Sequence, residues 1–268
     1  MATRERSIRV VSEVSDIEET RNDQWKRHLP MDAPLTWLRR GWRDIWIRPL
    51  ASLFYGLMVF LASLIFIVYM FRSGRDYFLF PALAGFLIVG PLVAAGLYLK
   101  SRDIDNGKGP TLRSMLAVRP LAGTQVFFTG MLLTMLMLLW MRAAVLVYAL
   151  FFGVRPFPGL DHVTGMLFTT PVGWAMLVVG SLIGALFAGF AFAISVFSIP
   201  MLLDQRVDAL TAMGTSTAMV WNNLRPMLAW GAIVLALFLL SVVTGLLALI
   251  IVFPWLGHAT WHAYKDMR

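Results

Sequence analysis

Cysteine is absent from the 268 residues. The chain can therefore hold no disulfide, no thiolate metal site and no cysteine nucleophile. Charge is scarce too: Asp, Glu, Lys and Arg make up 14%, against about 25% in an ordinary soluble domain. Also missing are a glycine-rich phosphate loop, an HExxH pair and a GxSxG nucleophile turn. No catalytic constellation stands out, so neither an enzyme nor a bound cofactor is expected. A cleaved leader is not indicated, because the first long apolar run begins near Leu50, behind a polar stretch.

What the sequence has in excess is apolar surface. Hydrophobic residues make up 59%, more than one soluble core of this size can hide. In lipid the difficulty disappears, and the reading is an all-α, polytopic transmembrane bundle whose natural surroundings are the bilayer. The net charge of +8 does not point to nucleic acid. Its lysines and arginines sit between apolar runs, as membrane topology requires, with no basic stripe interleaved with stacking aromatics.

A helix needs about 20 apolar residues to cross a ~30 Å core. Runs 50–71, 78–99, 121–152 and 172–203 qualify. The stretch 227–264 is uncharged and, at ~57 Å as a helix, suits two spans, 227–244 and 246–264, turning near Thr244 and Gly245. One very long last helix is the alternative. Residues 1–32 read as a flexible tail, and 33–268 as one membrane domain. Within 33–48, Trp37, Leu38, Gly41, Trp42, Ile45 and Trp46 recur at helical spacing opposite Arg39, Arg40, Arg43 and Asp44. This is an interfacial amphipathic helix with aromatic anchors.

Short echoes suggest three repeated units. Arg48, Pro49 and Leu50 return as Arg119, Pro120 and Leu121, and nearly so as Arg225, Pro226 and Met227. Proline opens a helix well because its missing N–H is not needed there, and Arg48, Arg119 and Arg225 can hold the headgroup boundary. Pro91 precedes Asp103, and Pro254 precedes Asp266, by the same interval, with a weaker copy at Pro200 and Asp204. Each unit then reads as an interfacial helix followed by a helical hairpin. Basic residues concentrate before Arg48, in 100–120, at Arg206 and Arg225, and at Lys265 and Arg268. The positive-inside rule places these regions, and both termini, in the cytoplasm of a bacterial inner-membrane protein with six spans.

Several residues carry candidate chemistry. His258 and His262 are four apart on one helix face and could share a metal, but no third ligand is evident, and anchoring beside Trp255, Trp261 and Tyr264 is the simpler reading. Arg142 interrupts the third span; it either snorkels to the far interface or pairs with Asp161. Asp204 and Asp208 could face a cation, or simply start a solvated helix. Gly180, Gly184 and Ala188 form a small-residue stripe for close helix packing.

The segments Gly90–Tyr98, Pro200–Asp208 and, most specifically, Gly257–Tyr264 resemble the bacterial family of predicted integral membrane proteins called domain of unknown function 2189, over about residues 35–264. The resemblance implies no established activity; some family members carry a provisional label as cytochrome c oxidase subunits, which hints at association with a respiratory complex.

Three function classes follow. The first is an accessory or scaffold protein docking on a membrane complex, or on a second copy of itself. The second is a small-solute or ion transporter or channel. The third is a haem- or metal-binding membrane protein. Runs 121–152 and 172–203 would each reach ~48 Å as straight helices, beyond the hydrocarbon core. Part of that hairpin must leave the membrane or fold back, and Val147 and Phe151 near its tip are the expected docking surface unless the 153–171 loop covers them.

Overall fold

Proline opens two of the long helices where the sequence places it. In the computed structural model Pro49 and Pro171 both stand in the first turn of their helices, where no N–H partner is needed. Residues 25–75, 78–117, 122–153 and 160–268 are described, the side chains of Phe80 and of residues 160–164 excepted.

In chain order the helices are α1 (Ala33–Trp46), α2 (Pro49–Arg72), α3 (Leu79–Val93), α4 (Ala95–Asp105), α5 (Leu112–Leu116), α6 (Gly123–Phe152), α7 (Leu160–Thr169), α8 (Pro171–Ser195), α9 (Ser198–Asp204), α10 (Ala209–Asn222), α11 (Leu224–Val243) and α12 (Leu249–Met267). There is no strand among the described residues. Five stretches are long and apolar enough to cross a membrane: Pro49–Arg72, Pro81–Asp105, Gly123–Phe152, Pro171–Asp204 and Leu224–Val243. The expected sixth, α12, is a helix of 19 residues that does not meet that standard, because its second half is polar. The turn before it falls where the sequence puts it: Gly245 and Leu246 both take positive φ, at 61° and 68°.

Two long stretches are broken. The first is interrupted at Ala94, just after Pro91; the second at Val196 and Phe197, just before Pro200. Proline leaves the carbonyl four residues earlier without its helical partner. At the second break Ser216 of α10 is inserted into the opened turn: its Oγ donates to Ala193 O at 2.7 Å and accepts from Phe197 N at 3.2 Å. The surplus length of α8 is thus absorbed by a bend, while α6 runs unbroken for 30 residues, ~45 Å. The short α7 folds back over the start of α8, where a Cβ on Gly173 would lie 2.3 Å from Met166 O.

The lower segments α4, α9 and α12 come together. Arg102 donates to Leu203 O, Trp261 Nε1 to Asp105 at 2.7 Å, and Gln205 Nε2 to the Tyr264 hydroxyl at 3.0 Å. Helix α1 lies across α12: Trp37 Nε1 donates to Asp266 at 2.9 Å, and Trp255 Nε1 to Leu38 O at 2.8 Å. Gly41 permits the crossing, since a Cβ there would lie 2.6 Å from Ala259 N.

Several expectations are corrected. Trp37 and Trp261, read as interface anchors, are fully buried; Trp37 gives its indole N–H to the partly buried Asp266 and Trp261 to the exposed Asp105. Trp42 and Trp46 are exposed, at 39% and 58%. Val147 is buried, packed toward Gly180 of α8, so it cannot serve as a docking surface; Phe151 is half-buried. Gly184 lies against Trp140 of α6, the packing role expected of its stripe. Residues 1–24 lie outside the described residues, but 25–32 are no free tail. Arg27 N donates to Asn223 Oδ1 at 3.0 Å and its Nε to Met267 O at 3.0 Å.

Candidate functional site

Where α1, α2, α4 and α12 meet, six polar side chains are buried together: Asp44, Ser52, Lys100, Ser101, His258 and His262. Local sequence explains their placement. Ser52 lies one turn into α2, on the face that also carries Gly56. Lys100 and Ser101 follow the break at Ala94, which turns α4 toward α12. Asp44 shares the inward face of α1 with Trp37, Gly41 and Ile45.

The groups form an unbroken chain. Lys100 Nζ donates to Ser52 Oγ at 2.6 Å, with the carbonyls of Arg48 and Ile45 at 3.4 and 3.5 Å. Ser52 Oγ meets His258 Nε2 at 2.8 Å, and His258 Nδ1 meets Ser101 Oγ at 2.8 Å. Ser101 Oγ donates to Asp44 Oδ2 at 2.7 Å, and His262 Nε2 reaches the same oxygen at 2.9 Å. An ammonium only donates and a carboxylate only accepts, while each hydroxyl has one proton. Ser101 gives its proton to Asp44, so His258 Nδ1 donates to Ser101; with His258 neutral, Nε2 accepts from Ser52 and the protons all point one way, from Lys100 to Asp44. Asp44 Oδ1 is buried without a hydrogen-bond partner among the described residues, so the carboxylate keeps one oxygen free to take a proton.

Burial pushes the Asp44 carboxyl up, but hydrogen bonds from His262 and Ser101 outweigh it and hold the group below the usual carboxylate range. A depressed folded value contributes stability above the unfolded value, about 3.9, and loses it as pH falls through the lower folded value. In thermal unfolding of detergent-solubilised protein, the advantage of wild type over Asp44→Asn should be constant near neutral pH and shrink below about pH 4. A difference that stays constant down to pH 3 would remove Asp44 from the charged end of the chain.

The other sequence candidates lie elsewhere. Asp208 caps α10, accepting from Thr211 N at 2.9 Å, whereas Asp204 accepts from Arg268 at 2.5 Å and Tyr264 at 3.3 Å; the two acids serve different partners and share no face. Arg142 is exposed on α6; the Asp161 side chain proposed to pair with it, like Arg119, lies outside the described residues. Arg48 takes a left-handed φ of 56° between α1 and α2 and donates to Pro110 O at 2.8 Å. Arg225 is exposed at the start of α11. Sequence reasoning singled out His258 and His262 but missed Asp44, Ser52, Lys100 and Ser101. No group of three or more His, Cys, Asp or Glu arranged to hold a metal occurs among the described residues; both ring nitrogens of His258 meet serine hydroxyls.

Five helical stretches long and apolar enough to cross a membrane define an integral membrane protein of the polytopic helical class. Residues 79–204 match the model of the family described as "Predicted integral membrane protein (DUF2189)", and the family resemblance is thereby shown. The match takes in the broken helices with Pro91 and Pro200; the C-terminal segment, read from sequence as the most specific part, lies outside it. No curated protein and no solved structure gives a match.

Proposed function

We propose that the protein is a proton-translocating membrane transporter and that the buried chain from Lys100 to Asp44 is its proton relay. The observation that carries this reading is the directed run of hydrogen bonds between buried side chains, from Lys100, the one buried lysine among the described residues, to the buried carboxylate of Asp44. Ionisable groups inside a membrane protein are costly and mark proton pathways. One transfer is four hops: Lys100 gives its proton to Ser52, Ser52 to His258 Nε2, His258 Nδ1 to Ser101, and Ser101 to Asp44. It leaves a neutral amine, a neutral acid and His258 in its other tautomer. Broken helices support the reading further, because transporters place their sites where spanning helices are interrupted.

On this reading the chain lies in a bacterial inner membrane with both termini cytoplasmic. It holds three units, each a short helix followed by a hairpin, with α12 as the sixth span. It is not assigned a catalytic reaction. The accessory role that the sequence favoured loses Val147 from its docking surface.

Proteoliposomes holding a pH dye and driven by a potassium diffusion potential test the proposal. Wild type should take up protons faster than protein-free vesicles, and His258→Phe, which cannot relay, should fall to the protein-free rate while eluting as a folded particle. Wild-type uptake no faster than protein-free vesicles, or a His258→Phe rate equal to wild type, overturns it.

A further inference from the structure

Helices α2 and α3 follow one another in the chain yet scarcely touch. Between them lies an apolar cleft of about 450 Å³, walled by Met58, Ala62 and Phe66 on one side and Leu83 and Phe86 on the other. It runs from Tyr55 to Ile67 along α2, ~18 Å of helix. Water has little to bind there: a confined water needs two to four polar partners, and the Tyr55 hydroxyl already donates to Val93 O at 2.6 Å. Both walls belong to membrane-spanning stretches, where the surrounding solvent is hydrocarbon chain. With a methylene taking about the ~30 Å³ of a water molecule, the cleft holds roughly 15 methylenes, the bulk of one acyl chain.

One rim of the cleft carries an exposed arginine. Leu116 of α5 belongs to its lining. Arg113, three residues earlier and so on the same helix face, is exposed and lines a polar basin with Arg102, Asp103, Thr111 and Ser114, two cations to one acid. A chain buried in the cleft would leave its headgroup beside that basin.

We propose that the α2–α3 cleft seats one acyl chain of an anionic phospholipid whose phosphate is bound by Arg113. This site is separate from the relay and stands whether or not the protein moves protons. Its test uses full-length protein in proteoliposomes doped with a phosphatidylglycerol carrying a photoactivatable diazirine midway along one chain. Adducts should concentrate on residues 55–67 and 79–93. Ala62→Trp, which fills the cleft, should lower them about tenfold without changing adducts on the outer face of α6, at Leu138 and Leu146. Leu83→Trp fills the cleft from the other wall and should do the same, so that a folding failure in one variant does not decide the matter. Arg113→Gln should abolish the preference for phosphatidylglycerol over the matching phosphatidylcholine probe. Adducts unaffected by both tryptophans would mean ordinary lipid contact and overturn the proposal. Loss of labelling on adding excess inorganic phosphate would assign the basin to free phosphate and overturn the lipid. Cross-linking of two chains through position 62 would make a second copy the occupant and overturn it as well.

Discussion

Gly56→Ala should be the most damaging single-methyl change in the molecule. A Cβ at Gly56 would stand 2.2 Å from Ile250 O and 2.9 Å from Pro254 Cγ. Ile250 O is the carbonyl that Pro254, four residues on, deprives of its helical hydrogen bond. It turns instead toward α2, and only a residue without a side chain lets the two backbones come so close. Neither neighbour can yield: one is helix backbone, the other a ring fixed to it. Overpacking of a well-packed core costs typically 1–3 kcal/mol, occasionally more, and here the rigid neighbours place the cost at about 3 kcal/mol or above. Because Ser52 and His258 are carried by the same pair of helices, the relay should open with the junction. Thermal unfolding followed by size exclusion measures the effect. A Gly56→Ala protein that melts with wild type would show that α2 and α12 do not pack as described.

Asp44→Ala should come close behind. It removes the acceptor at the end of the relay and strips two buried donors, Ser101 Oγ and His262 Nε2, of their shared partner. Removing one member of a buried ionic system costs about 3–5 kcal/mol, because the remaining charge stays buried without its counterpart. That charge is the Lys100 ammonium, which is fully buried. The two ends are linked through the intervening hydroxyls and His258, so their losses should not add. Lys100→Met in the Asp44→Ala background should restore part of the lost stability, giving a coupling within the 0.5–3 kcal/mol seen for networked residues. Strict additivity in the double-variant cycle would show that the two charges do not sense one another and would break the relay in the middle.

Much of the architecture was legible in the sequence, since bilayer thickness dictates the length of apolar runs. The runs 50–71 and 172–203 correspond to Pro49–Arg72 and Pro171–Asp204, and the turn after Val243 falls at Gly245. The amphipathic helix at 33–48 was legible too, but its orientation was not. Periodicity separated apolar from charged residues and put Asp44 with Arg39, Arg40 and Arg43. The inward face is instead Trp37, Gly41, Asp44 and Ile45, because α1 packs across α12, with Gly41 against Ala259 and Asp44 against His262. Trp37 and Trp261 misled for a related reason. An indole suits an interface and also a buried site with an acceptor, and the acceptors Asp266 and Asp105 lie 229 and 156 residues away.

The relay was half visible. Two histidines in an apolar C-terminal run are conspicuous; a lysine and two serines at span ends are not, since Lys100 looks like one more topology charge. A readable signal did exist. Lys100 and Ser101 follow Gly96 by one turn, and Ser52 precedes Gly56 by one turn, so each polar group sits beside a residue that draws helices together. A charge next to a close-packing glycine is a stronger sign of burial than hydropathy alone can provide.

The placement of α1 on α12 has a consequence for biosynthesis. The hydrogen bond between Asp44 and His262 joins residues 218 apart. At 5–20 residues per second, the ribosome needs about ten to forty seconds to supply the second after the first. Throughout that interval α1 lacks α12, the helix it crosses, and the part of its face that α12 covers must be sheltered by headgroups or by the insertion machinery. A nascent chain that stops before Leu249 can insert α2 through α11 and still leave Asp44 without His262 and the run from Lys100 to Asp44 broken at His258. Closure of the hydrogen-bonded run from Lys100 to Asp44 therefore waits until synthesis has reached the final helix.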